Sequence, residues 1–149
     1  MSAAQANELI SFLVGEQEFC VDIMAVREIR GWTASTPLPH APEHVLGVIN
    51  LRGVVLPVVD LSARLGLGAT APTGSHVIIV VCIDQLQVGL LVNAVCDILT
   101  VTEEMLQRPP SFGSERTADM VLGVMTLDRG MVTLLDLSGI APHGLEAAA

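Results

Sequence analysis

Three groups of residues in this chain have types and spacings that suit catalysis or ligand binding. Asp60 and Asp136 each precede a Leu-Ser pair, and paired carboxylates are common in general acid and base catalysis. His40 and His44 are four residues apart, a spacing that places two metal ligands on one face of a helix. The segment from Gly66 to Ala71 reads GLGATA, which formally fits a dinucleotide-binding glycine pattern.

The local sequence argues against all three kinds of site. Pro42 breaks any helix that would carry both histidines, and no third ligand is near. Pro72 stands where the glycine pattern requires a helix to begin. Asp60 and Asp136 are explained more simply as N-terminal caps of two short helices. We therefore expect no catalytic residue, no metal and no cofactor, and hence a protein that is not an enzyme.

Arg52 is a better candidate for function, since it stands beside Gly53 at a predicted hairpin turn between two apolar strands. It is either a turn residue that aids solubility or a charge aimed at a partner's carboxylate. Glu28 presents the same choice between a structural and a binding role. Trp32, the only tryptophan, is either a core residue or an exposed anchor. The residues alone leave these alternatives open.

The composition narrows the range of partners. Sixteen acidic residues oppose seven basic ones, all arginine, which gives a net charge of −9. That charge disfavours nucleic acid and anionic membranes as partners, and the lack of lysine removes chemistry that needs an ε-amine. At 149 residues, 51% apolar but only 3% aromatic, the chain predicts one domain with an aliphatic core.

The cysteines and apolar runs predict a cytoplasmic protein. Cys20, Cys82 and Cys96 have no metal-like spacing, so we expect small buried apolar residues in a reducing compartment. No secretory signal opens the sequence. The longest unbroken apolar run, from Val77 to Ile83, is far too short to span a membrane.

An internal repeat predicts the architecture. When Gly47–Ser62 is set over Gly123–Ser138 without gaps, six of sixteen positions are identical, with an offset of 76. Ala25–Ile29 matches Ala94–Ile98 with an offset of 69. Each copy contains about five short strands and one proline-rich loop, too little for a good core alone. We therefore predict a pair of small β-barrels packed face to face, with one irregular β-sandwich as the alternative.

Four stretches of the sequence match a known family: Asp22–Trp32, Gly47–Leu61, Val88–Val95 and Leu134–Leu137. The string GVINLRGVVLPVVDL is the most specific of them. Over about residues 8 to 140, the sequence resembles the CheW family of chemotaxis coupling proteins.

The resemblance implies an all-β fold of two SH3-like five-stranded barrels on a shared hydrophobic core, with few short helices. We expect one CheW-like domain over 8–140, with intertwined barrel subdomains at about 20–75 and 76–135. The terminal strands are allowed to cross over between the barrels. Residues 1–7 and 141–149 are expected to be flexible ends.

The resemblance also implies a non-catalytic scaffold in a bacterial chemosensory array. Such proteins join the regulatory domain of a CheA-type histidine kinase to the cytoplasmic tip of methyl-accepting chemoreceptors. An apolar groove between the barrels takes the receptor helices, and barrel edges pair with the kinase, with ring assembly as a further expectation. Neither nucleic acid nor membrane insertion is implied. Alternatives are a related array for surface motility or for cyclic-nucleotide control of biofilm, and a barrel that binds a small apolar ligand in the groove.

The resemblance assigns partner binding residue by residue. Asn93 stands where the family usually has Asp, which puts a charge role there in doubt, and Phe19 replaces a frequent Tyr. The partner-binding residues that it implies are Val26, Glu28, Gly47, Asn50, Leu51, Arg52, Gly53, Val92 and Val95.

Overall fold

A computed structural model describes residues 7–108 and 120–140 of the chain. These residues form two five-stranded sheets, with strand orders β3-β6-β7-β5-β4 and β8-β1-β2-β10-β9. The strands are β1 (Asn7–Val14), β2 (Gln17–Asp22), β3 (Val26–Gly31), β4 (Val45–Leu51), β5 (Val54–Asp60), β6 (Val77–Ile83), β7 (Leu86–Val92), β8 (Ala94–Val101), β9 (Val121–Leu127) and β10 (Gly130–Leu135). The helical elements are the 3-10 turns Ile23–Ala25 and Glu103–Met105 and the helices α1 (Leu61–Arg64) and α2 (Leu137–Ile140). The prediction of an all-β fold with few short helices is confirmed.

The two sheets follow one plan at residue level, as the repeat predicted. The pairing of β4 with β5 shifts register between Val45 and Gly47, and that of β9 with β10 shifts between Val121 and Gly123, 76 residues later. The pairing of β3 with β6 and that of β8 with β1 also shift at positions related by the offset of 69. Chance similarity would not reproduce these irregularities, so the two sheets are copies of one unit.

The chain does not give each sheet a single continuous segment. Strands β6 and β7 lie beyond residue 75, yet they complete the sheet that contains β3, β4 and β5. The hairpin β1–β2 at the start of the chain instead completes the second sheet, where β2 runs parallel to β10. Asn7, expected to belong to a flexible end, begins β1 and pairs with Val101, whereas 1–6 and 141–149 lie outside the described residues.

A short backbone bridge closes each sheet into a barrel. In the first barrel, Thr36 exchanges two backbone hydrogen bonds with Val48, at 2.8 and 2.9 Å. In the second, Gln107 does the same with Val124, at 2.9 and 2.7 Å. In each barrel, the segment after one edge strand pairs with the edge strand on the opposite side of the sheet. The edges of the sheet are therefore no longer open.

The central strands are apolar on both faces because each strand lies between two hydrophobic cores. In β6, Ile79 and Val81 point into a core shared by both barrels, while Ile78 and Val80 point into the interior of the first barrel. Successive side chains of a strand point to opposite sides, so a strand between two cores must be apolar at every position. Strand β1 contributes Phe12 to the same shared core from the second sheet.

We predict that Gly47→Ala destabilises the fold much more than the matched substitution Gly123→Ala. Gly47 has φ +146°, and a Cβ there would lie 2.3 Å from the carbonyl oxygen of Thr36, in the closing bridge. A Cβ at Gly123 would lie 3.2 Å from the oxygen of Gln107, and its backbone is not in the left-handed region. Urea unfolding should show a loss of about 2–4 kcal/mol for Gly47→Ala. Equal losses for both variants would contradict this account of the bridge.

Candidate partner-binding face at a hairpin tip of the first barrel

The hairpin between β4 and β5 presents Arg52 on a rigid two-residue turn. Leu51 pairs with Val54 across the turn, and Arg52 and Gly53 have φ of +51° and +85°. Two successive residues with positive φ make the turn that matches the twist of the flanking strands. The side-chain oxygen of Asn50 accepts a hydrogen bond of 2.8 Å from the Gly53 N–H, and this bond stabilises the turn.

Glu28 on β3 holds the Arg52 side chain. The Arg52 guanidinium donates a hydrogen bond to a Glu28 carboxylate oxygen and forms an ion pair with it. This hydrogen bond lowers the pKa of Glu28 below its ordinary value, and the charge of Arg52 adds to the effect. The pair connects the two edges of the first sheet, yet the Arg52 side chain remains 73% exposed, so most of its donors still face solvent.

Exposed valines and one further arginine lie near this ion pair. Val54 and Val55 are 50% and 69% exposed at the start of β5. Arg30 lies 3.9 Å from the second carboxylate oxygen of Glu28. We call Glu28, Asn50, Arg52, Val54 and Val55 the hairpin-tip face. It combines exposed valines with a pre-positioned guanidinium, the mixture of apolar and arginine contacts that anchors protein interfaces.

The structure brings together only part of the predicted partner-binding set. Glu28, Asn50, Arg52 and Gly53 meet at this face, but Leu51 is buried in the interior of the first barrel. A buried residue supports a surface from beneath and does not touch a partner.

Three valines of the predicted partner-binding set, Val26, Val92 and Val95, lie in or against the shared core. Val92 is only 1% exposed, so its side chain does not reach the surface of the chain. Val26 and Val95, which the offset of 69 relates, are half-buried and pack against that core. Gly47 lies under the closing bridge, where a larger side chain would disturb the base of the hairpin. In the described part of the chain, these three valines therefore pack against other side chains of the chain itself.

Sequence reasoning missed Val54 and Val55 as surface residues. They belong to Val54 to Val59, one of the two apolar strands predicted to flank the turn. Their position could have indicated that they are exposed, because they directly follow the turn. Residues beside a hairpin tip extend past the body of a small barrel. Of the two roles considered for Trp32, core residue or exposed anchor, the structure favours packing. Trp32 lies half-buried against the interior of the first barrel.

The family model for the CheW-like domain matches residues 8–144. The chain belongs to the CheW family. It is 55% identical to the chemotaxis protein CheW of Rhizobium meliloti, over 96% of this chain and 92% of that protein. It is 35% identical to protein FrzA of Myxococcus xanthus, over 98% of this chain and 94% of FrzA.

A solved structure of the family supports the two-barrel fold. The crystal structure of the scaffolding protein TtCheW from Thermoanaerobacter tengcongensis matches with a TM-score of 0.82 at 31% identity. The match covers 91% of this chain and 88% of that one. The fold predicted from the resemblance is therefore confirmed, and this chain is a CheW-family chemotaxis protein of the scaffolding type.

Asn93, which departs from the usual Asp of the family, has a structural role here. Its side-chain oxygen accepts a hydrogen bond of 2.7 Å from the Gly15 N–H, and its backbone N–H donates to the Leu13 oxygen at 2.8 Å. Both contacts fix the turn between β1 and β2 to the start of β8. An amide oxygen accepts such a bond as a carboxylate oxygen does, so the contact does not require a negative charge.

The residues with possible catalytic roles are structural. Asp60 is buried, and its carboxylate accepts hydrogen bonds from Thr70, at 2.6 Å from the N–H and 2.8 Å from the hydroxyl, and from the Ala63 N–H at 3.5 Å. Asp136 accepts from the Ser138 N–H at 3.0 Å. Both are therefore helix caps, as predicted. Within residues 7–108 and 120–140, no group of three or more His, Cys, Asp or Glu side chains is placed to hold a metal ion.

The cysteines agree only in part with the prediction of buried apolar residues. Cys20 is buried, and burial raises the pKa of its thiol to about 12. Cys82 is half-buried, whereas Cys96 is exposed on β8, because its side chain points away from the barrel on an edge strand. Burial of its sulfur still raises the pKa of the Cys96 thiol. In the part of the chain that the structure describes, no helix is long and apolar enough to cross a bilayer.

The second barrel carries a different ion pair near its equivalent hairpin. Arg129 forms two hydrogen bonds to the Glu18 carboxylate, at 2.9 and 2.6 Å. These bonds lower the pKa of Glu18 below its ordinary value. The Glu18 side chain is only 12% exposed. This ion pair therefore holds the hairpin against β2, and little of its carboxylate is accessible to a partner protein.

We predict that Arg129→Gln lowers Tm at pH 7 more than Arg52→Gln does. Loss of Arg129 leaves a shielded carboxylate without its ion pair, whereas Glu28 stays in contact with water. Because the folded-state pKa of Glu18 is lowered, its contribution to stability is present above the unfolded value of about 4.3 and is lost as pH falls through the folded pKa. Thermal unfolding should therefore show the Tm difference between wild type and Arg129→Gln closing below pH 4, and a difference independent of pH would contradict the assignment.

Proposed function

We propose that this protein is a non-catalytic adaptor that couples the cytoplasmic tips of chemoreceptors to a CheA-type histidine kinase. Membership of the CheW family supports the coupling role. The observation that carries the proposal is the hairpin-tip face, on which Arg52 is held in place by Glu28 but is still largely exposed. A guanidinium so positioned loses little conformational freedom when it binds a partner's carboxylate.

The charges around this face favour an acidic partner surface. The chain carries a net charge of −9, yet Arg30 and Arg52 both lie beside Glu28 at this edge of the first barrel. The partner surface that fits is a carboxylate beside an apolar patch that covers Val54 and Val55. Each such contact is weak alone and becomes effective when receptors and kinases present many copies.

We predict that Arg52→Glu weakens binding of the kinase regulatory domain about tenfold or more while the barrels stay folded. The new carboxylate would face Glu28 and repel the acidic partner surface. Isothermal titration calorimetry measures the affinity, and circular dichroism checks the fold. Arg108→Glu on the second barrel makes the same charge change at an exposed residue and should leave the affinity within about twofold.

A charge swap separates the structural and binding roles of Arg52. The double substitution Glu28→Arg with Arg52→Glu recreates the ion pair with reversed polarity. If Arg52 also binds a partner's carboxylate, the swap keeps thermal stability near wild type but does not restore kinase binding. Full recovery of binding in the swap would mean that only the internal ion pair matters, and the proposed contact would be withdrawn.

The array in which the adaptor works is a separate question. The similarity to FrzA as well as to proteins named CheW means that family membership does not fix the pathway. Arrays for surface motility or for cyclic-nucleotide control of biofilm are the second candidates. Affinity purification from a native lysate, with wild type beside Arg52→Glu, identifies the receptor and kinase that are lost with Arg52.

A further inference from the structure

When the two barrels are compared at positions related by the repeat, they differ at the position of Trp32. In the first barrel, the Trp32 N–H donates to the His76 oxygen at 3.1 Å, and the indole packs against the barrel interior beside Leu46. The offset of 69 relates Trp32 to Val101, which pairs with Asn7. The second barrel therefore has a much smaller side chain where the first has its tryptophan.

A second substitution enlarges the difference. Leu91 belongs to the interior of the first barrel, whereas the equivalent position in the second barrel is Asp22, which is exposed. Leu46 is half-buried beside Trp32, but its equivalent, Leu122, is 54% exposed. Among the residues that the structure describes, the apolar cover of the first barrel has no counterpart on the second.

A cavity of about 290 Å³ lies beside this place in the second barrel, since its lining includes Asn7, the strand partner of Val101, together with Asp22 and Leu122. Its apolar lining includes Leu9 and Leu134, which are buried, and Leu122, which is exposed. Asp22 and Asp136 also line it, and the described lining contains no arginine. The lining includes Asn7, Leu9, Asp22, Leu122, Leu134 and Asp136.

We propose that this cavity is a docking pocket for one large apolar side chain, presented by a partner protein next to a basic residue. The first barrel is the internal template, since it fills the equivalent place with tryptophan. The volume is at the low end for metabolite sites and suits a single aromatic side chain. The two carboxylates select a cation beside that side chain.

This pocket is distinct from the hairpin-tip face, and the inference goes beyond the adaptor contact proposed above. Its lining residues belong to the second barrel, whereas Glu28, Arg52 and Val55 belong to the first. A partner that used both surfaces would grip the two barrels at once. The two contacts would then add to each other through effective concentration.

A peptide titration tests the pocket directly. The probe is acetyl-Ile-Arg-Gly-Trp-Thr-amide, which copies the sequence around Trp32, added to the full ¹⁵N-labelled chain and followed by NMR. We expect saturable shifts at the amides of Leu122, Asp136 and Ser138. A peptide with Ala in place of Trp should bind about tenfold more weakly, and a peptide with Glu in place of Arg should also bind more weakly.

Matched protein variants complete the test. Leu122→Glu should weaken peptide binding about tenfold, and Leu122→Ala gives a second, milder change. Met131→Glu, at a residue that is 65% exposed on β10, should leave it within about twofold. Arg52→Glu should leave peptide binding unchanged, which separates this proposal from the adaptor contact.

Three outcomes would overturn the proposal. The first is the absence of saturable shifts at millimolar peptide, and the second is a set of shifts that Leu122→Glu does not affect. The third is binding that appears only after residues 141–149 are removed, which would make the chain's own C-terminal segment the occupant.

Discussion

The whole structure depends on strands that are apolar on both faces. Strand β6 supplies Ile79 and Val81 to the core between the barrels and Ile78 and Val80 to its own barrel. Because a strand has only two faces, such a strand has no polar side to offer to solvent. Two five-stranded units that are each too small for a stable core gain one by burying these faces against each other. Residues that bind partners must therefore lie at the edges, the turns and the barrel ends.

A duplicated scaffold with divergent surfaces is what an adaptor requires. The barrels keep the same strand order, register shifts and closing bridges, so their backbones position equivalent residues. Their side chains at those positions differ. Arg52 reaches across an edge to Glu28 and stays exposed, while Arg129 is fastened to a shielded Glu18. One unit can thus present two unlike surfaces to two partners without a change of fold.

Local features and the repeat were predictable from sequence. The offsets of 76 and 69 indicated the duplication, Arg52 and Gly53 indicated the hairpin turn, and Asp60 and Asp136 were recognised as caps. Each depends on a few neighbouring residues, or on an identity between copies. Such signals survive in a single sequence because the local geometry requires particular residue types.

Long-range pairing was the part that sequence did not supply. The parallel contact between β2 and β10 joins residues more than a hundred positions apart, and no local pattern specifies it. The burial of Val92, the exposure of Cys96 and the ion pair between Glu28 and Arg52 all follow from which strands become neighbours. A valine in an apolar run has the same local sequence whether it lines a groove or fills a core.

The central proposal is that this chain joins two different proteins in one complex. Sedimentation velocity on an equimolar mixture with a kinase regulatory domain and a receptor-tip fragment measures this directly. The account predicts a ternary complex that contains all three proteins and disappears when this chain is omitted. A chain that sediments alone, or that binds one partner only by displacing the other, would contradict it.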